Sequence, residues 1–421
     1  MAQARNINAT ARIVGARVSI LLILALGLTD CGREKADTPG PISAELEDRL
    51  LAYWREHPLS PRAYVLAKFQ HNDWVFLGEY HRIRHDALLV SSLIPALHEQ
   101  TRVRHLAMEF LCRNRTDEAN RLITSADFTR RQAIDFFRDQ FVAWSYEEYL
   151  DIFLTAWESN RRLARERGPF QLVGLHPCPD YEVLNYGEDE AAAAERDKQQ
   201  RYDEIMAEAL EEALLSKGLP ALIVTGIAHS TAKFPEYWVG SDDQLVRMGN
   251  LVYREPYRDR MHFIALHAPF YDSGTDRDIY PFDGVLDRLM LGYGRDIGFD
   301  VVGTPFADLR HQNPSPRSIT SFSFGELYDG YVIHAEPLKE TVGVTCIRDW
   351  IVNEEQYRDF WRNLTNKEAS IYFSEIPFEQ FQQDHCAPRA DHGVEFRRRF
   401  RTLPDLTSPE RSVSPDSTTG N

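Results

Sequence analysis

A chain of 421 residues with 43% apolar side chains is long enough to bury a substantial core, as one large domain or two moderate ones. Its formal net charge of −16 excludes a role centred on nucleic-acid phosphates, which demand concentrated lysine and arginine. A cationic ligand, or a metal held by carboxylates, suits that balance better.

At the N-terminus Arg5, Arg12 and Arg17 precede the apolar run VSILLILALGL, from Val18 to Leu28. The run is too short for a permanent membrane-spanning helix, so residues 1–30 read as a secretory signal. The LTDC that follows resembles the bacterial lipobox, although Asp30 stands where that pattern prefers a small residue. It predicts a lipidated Cys31 and a membrane anchor at the bacterial cell envelope, on the outer membrane facing the periplasm. Stable anchoring needs more than one acyl chain. Residues 31–55 read as a tether and a short helix around Glu45 to Tyr53.

Residues 56–240 carry the pattern of an α/β core with a mostly parallel sheet flanked by helices. Trp74 to Leu77 and Leu106 to Phe110 are apolar on both faces, as strands covered by helices on both sides must be. Between them, Leu88, Leu89, Leu93 and Leu97 recur at helical spacing over Asp86 to Glu99. Helical tracts are expected over Asp117 to Arg138, Tyr146 to Arg167 and Glu188 to Lys217. Gly168-Pro169 and Gly218-Leu219-Pro220 stop the last two. Gln171 to Leu175 and Leu222 to Thr225 are further strands, the second delivering Gly-Ile-Ala-His.

Residues 241–403 hold two more good strands, in His262 to Phe270 and Tyr331 to Glu336, and helical character over Arg348 to Leu364. They extend the same unit or cover it as a lid. Residues 404–421, rich in Ser, Thr, Pro and Asp, read as a disordered tail. Cys112, Cys178, Cys346 and Cys386 allow three pairings into two disulfides in an exported protein, or remain buried thiols.

Ionisable groups at the carboxyl ends of parallel strands stand where open α/β sheets bind ligands. Glu79 and His81 leave the first strand, Glu109 ends the second, and His229 follows Gly226. Two imidazoles and a carboxylate (His81, His229 and Glu109) are a sensible set for Zn, Mn or Fe, with Glu79 as base or orienting group. The same groups can activate water without a metal. Spacing alone equally fits a turn or helix-capping role for His81. Glu109 is harder to dismiss, because a carboxylate in a buried strand must find partners. His85 shares the face of His81 if the helix has already begun, and Arg196 and Tyr202 lie on the helical tract before the last strand. The chain has no Gly-x-Ser-x-Gly elbow, His-Glu-x-x-His, Walker loop or dinucleotide fingerprint.

Phe-Leu-Gly-Glu-Tyr-His with His85, the strand bearing Glu109, Arg196-Asp197 with Met206-Ala207, and IVTGIAHSTAKFP together resemble the ChaN-like haem-uptake lipoproteins. They also look like the wider superfamily shared with Tiki/TraB-type proteins and erythromycin esterases. The resemblance covers roughly residues 70 to 240 and implies a site at one end of a parallel sheet. The Tiki-type pattern implies a divalent metal at His81, Glu109 and His229, supporting peptide hydrolysis. The esterase pattern implies water-mediated lactone hydrolysis by Glu79 and His81. The ChaN-like pattern implies haem binding at the envelope, with Tyr80 as a candidate axial ligand. This chain is longer than ChaN beyond the core, and has Ile227 and Ala228 where the Tiki-type motif carries an asparagine. The expectation is an envelope-anchored hydrolase-like protein acting on a small-molecule or peptide substrate, with haem or iron uptake as the alternative.

Overall fold

The computed structural model describes residues 42–140, 146–234, 236–237, 244–268, 270–272, 277–312, 319–335, 344–362 and 376–384. The expected signal, Cys31, Cys386 and the tail lie outside the described residues.

Eleven strands follow in chain order: β1 (Trp74–Glu79), β2 (His105–Cys112), β3 (Gln171–His176), β4 (Ala221–Gly226), β5 (Glu236–Tyr237), β6 (Gln244–Leu245), β7 (Met261–Leu266), β8 (Phe270–Asp272), β9 (Arg277–Ile279), β10 (Ile297–Asp300) and β11 (Gly330–Ile333). Seven form one sheet in the order β10-β11-β7-β1-β4-β2-β3, while β5-β6 and β8-β9 are separate two-stranded ribbons. Within the sheet every pairing is parallel except β10 with β11. The sheet therefore runs through both halves of the chain, and β7, β10 and β11 widen it toward the C-terminal side.

β1 and β4 are buried at every position, which explains their unbroken apolar character. Their alternate side chains still sort by face. Val75, Leu77, Leu222 and Val224 pack with Leu93, Leu97 and Phe153 of helices Arg84–Gln100 and Glu147–Arg167. Trp74, Phe76 and Ile223 pack on the other face with Met206 and Leu210 of helix Tyr202–Ala213. A third apolar cluster joins β10 and β11 to Leu50 and Trp54. The short helix expected around Glu45 to Tyr53 is Ala44–Glu56, and it packs into the fold through that cluster.

Two expected tracts are broken. Asp117 to Arg138 is two helices, Thr116–Thr124 and Arg130–Arg138, because Thr129 and Gln132 form a capping box that starts the second. Glu188 to Lys217 divides at Arg201 into Glu190–Gln200 and Tyr202–Ala213, followed by a short 3-10 turn. The strand expected through Phe270 ends at Leu266, and His334 lies just beyond β11.

Candidate functional site

The parallel strands end at a common rim, and β1 and β4 stay in register to the last pair, Glu79 opposite Gly226. β2 follows β4 only as far as Met108 opposite Val224. Its pairing with β3 then shifts between Met108 and Cys112. Glu109 sits in that irregular stretch, where a bulge re-aims side chains. It is 3% exposed, and its Oε2 accepts the Gly226 N–H at 2.7 Å.

Two imidazoles flank the other Glu109 oxygen. His81 Nε2 lies 3.8 Å from Oε1 and His229 Nε2 lies 3.6 Å from it, while Tyr202 donates its hydroxyl to the same atom at 3.2 Å. Each imidazole is pinned from behind by a carboxylate. His81 Nδ1 donates to Glu79 Oε1 at 3.0 Å, and His229 Nδ1 donates to Asp203 Oδ1 at 2.8 Å. A carboxylate only accepts, so both rings carry their proton on Nδ1 and turn Nε2 toward Glu109.

The supports are themselves held. Tyr149 donates to Glu79 Oε1 at 2.9 Å and accepts the Arg82 N–H at 3.1 Å; Arg82 takes a left-handed φ of 69° as the chain leaves β1. Asp203 Oδ1 also accepts the Met248 N–H at 2.8 Å, and Arg247 Nη1 stands 3.5 Å from Oδ2. The Tyr202 ring lies against His229 on one side and meets His176 edge-on on the other. The glycines act by close approach. A Cβ on Gly226 would lie 2.9 Å from His81 Nε2, and one on Gly78 would lie 2.5 Å from Ser230 Oγ. Gly78 therefore lets the turn after β4 close over β1.

Charge polarises the cluster. Burial favours the neutral form of His81, but the hydrogen bond to Glu79 and the charge of Glu109 outweigh it and raise the pKa. His229 is raised in the same way, burial being outweighed by Asp203 and Glu109. Burial would push Glu109 up, yet His229, His81 and the Gly226 N–H hold it below the usual carboxylate range. Burial, with the charge of His229, drives His176 down to about 4, against the pull of Glu109.

Glu79, His81, Glu109 and His229 thus meet, although they come from three separated segments. Asp203 was not anticipated; the only local signal is its place in the first turn after the helix break at Arg201. Tyr202 reaches the site, whereas Arg196 is exposed on the preceding helix and makes none of the contacts that build it. His85 is a correction. The helix begins at Arg84, so His81 lies outside it, and His85 turns instead toward Asp86 and His334. Tyr80 lines a small adjacent cleft of about 20 Å³ with Ile227, Ala268, Phe282, Tyr328 and Tyr331. Among the described residues no lysine or arginine lines that cleft.

Among the described residues, two sets of His, Cys, Asp or Glu place their donor atoms all within 4.8 Å of one another. One is Cys112, His176 and Cys178, but the two sulfurs are joined in a disulfide and His176 Nδ1 accepts the Cys178 N–H. The other is His85, Asp86 and His334. His81, Glu109 and His229 are not among these sets. Cys346 is also disulfide-bonded. No described helix is long and apolar enough to cross a membrane.

No family model and no curated protein matches the chain. Among solved structures it is similar to a mutant of the erythromycin esterase EreC in its open conformation, at 13% identity over 72% of this chain and 97% of that one, with a TM-score of 0.42. A Bacillus cereus protein is similar at 11% identity over 71% and 94% of the two chains, with a TM-score of 0.44. ChaN of Campylobacter jejuni, described with cofacially bound haem, gives 12% identity over 52% and 90%, with a TM-score of 0.27. These likenesses are distant.

Proposed function

We propose that the chain is a hydrolase of esters or amides that activates water between His81, Glu109 and His229. One observation carries this reading. Two imidazoles, each fixed at Nδ1 by its own carboxylate, aim Nε2 at a single Glu109 oxygen at the carboxyl rim of a parallel sheet.

The roles divide by environment. His81 is the more open ring, with 38% of its side chain accessible against 20% for His229. Neutral His81 takes a proton from water at Nε2, and Glu79 stabilises the imidazolium that results. His229, biased toward its protonated form by Asp203 and Glu109, donates from Nε2 to the developing oxyanion or leaving group. Glu109 holds the two rings apart and balances their charge. Beside these residues Tyr80 and Ile227 line a small cleft with other apolar and aromatic side chains.

The disulfide between Cys112 and Cys178 supports an oxidising compartment, and with it export. The test is a panel of aryl and alkyl esters, lactones and peptides with wild-type protein, H81A and H229A. Turnover that falls at least 100-fold in H81A supports the reading. No turnover across the panel, or undiminished turnover in H81A, sinks it.

A further inference from the structure

A second group of ionisable side chains lies at the same rim, on the far side of β1 and away from Glu109. His85 and Asp86 open the helix that follows β1, and His334 follows β11. Asp86 is fully buried, His85 is 6% exposed and His334 is 9% exposed. Such groups are ordinarily hydrogen-bonded, because an unpaired buried polar atom costs free energy. Here both nitrogens of His85, both oxygens of Asp86 and Nε2 of His334 have no hydrogen-bond partner. His85 Nε2 and Asp86 Oδ1 are 3.4 Å apart without the geometry of a bond, and the rings of His85 and His334 are 4.4 Å apart at their centroids.

We infer that His85, Asp86 and His334 bind a divalent first-row metal ion, a site separate from the proposed hydrolytic centre and independent of that reading. Three observations support it. The donor atoms converge within 4.8 Å of one another, so bond lengths near ~2.1 Å need only small side-chain shifts. Two imidazoles and one carboxylate are a donor set that Zn(II), Mn(II) and Fe(II) accept while leaving coordination positions open. The third is the outer support: His334 Nδ1 donates to Asp296 Oδ2 at 3.0 Å, and Asp296 Oδ1 accepts the Ala335 N–H at 2.8 Å. That carboxylate fixes the tautomer which leaves Nε2 of His334 free to ligate. A water molecule would satisfy only some of the five unpartnered atoms, whereas one cation engages all three side chains.

The two centres are neighbours: the charge of Glu79 acts on Asp86, and Glu79 Oε2 is itself buried without a hydrogen-bond partner.

The full chain is stripped with a chelator, dialysed against Zn(II) or Co(II), and its retained metal counted by elemental analysis. Wild type and the H81A/H229A double variant are expected to hold one equivalent; D86N and H334Q lose it, together with the visible d–d bands of the Co(II) form. Should H334Q not fold, D86N carries the comparison, and a Zn(II)-dependent rise in wild-type Tm that D86N lacks is the independent readout. Wild type that retains less than about a tenth of an equivalent overturns the site. So does an ion that leaves with H81A/H229A and stays in D86N.

Discussion

Gly226 and His81 are packed so closely that the smallest side chain at position 226 would strike the imidazole, 2.9 Å from Nε2 and 3.0 Å from Cε1. The substitution G226A should therefore turn His81 off its line to Glu109. We expect a loss of at least ten-fold in kcat, at a stability cost of about 1–3 kcal/mol for the forced contact. Steady-state kinetics and a urea melt on the same preparation separate the two. Unchanged kcat would mean that His81 does not act from this position.

The pH profile follows from the bias on His81. Its pKa is raised by Glu79 and Glu109 against the effect of burial, and the base must be neutral to accept a proton. Activity should rise with pH through an apparent value above 6.5. Replacing Glu79 by Gln removes a raising influence, so the acid limb should move toward lower pH while kcat falls. A limb that stays in place would take His81 out of the base role.

Stability carries the opposite sign at the same residues. Folded pKa values of His81 and His229 above 6.5 give a contribution that is full below 6.5 and is lost as pH rises through the raised values. D203N, which removes the first-named partner that raises His229, should flatten this alkaline loss. Thermal melts between pH 6 and 9 measure the difference.

His176 works in the acid window. Its folded pKa of about 4 lies below 6.5, so the unfolded chain binds the proton first and stability falls between pH 6.5 and 4. The span corresponds to about 3 kcal/mol. H176Q should lessen that acid loss relative to wild type. An identical acid limb in the two proteins would contradict the assignment.

The Cys112–Cys178 bridge closes a loop with a sequence separation of 66 and ties the end of β2 to the turn just after His176, the last residue of β3. A C112A/C178A variant should lose about 4 kcal/mol by loop-closure entropy. Denaturant melts under non-reducing conditions test this directly; a loss below about 1 kcal/mol would show that the turn is held without the bridge.

Much of the fold was legible in the chain itself. β1, β2, β3 and β4 are apolar without alternation because helices cover both faces, and that pattern marks buried parallel strands wherever it occurs. Glu79, Glu109 and His229 stood out as polar groups at the ends of such strands, where a buried charge must have partners. Other features depended on contacts distant in sequence. Nothing local shows that Asp203 would face His229, because that pairing requires a helix after Arg201 to pack under β4. Nor does spacing send His85 away from His81. The helix boundary at Arg84 does so, and the partner it meets, His334, lies just past the end of a strand nearly 250 residues later. Local patterning decides which segments are strands and which ends are polar. Only the tertiary fold decides which of those ends meet, since strand order is set by packing between segments that share no local sequence.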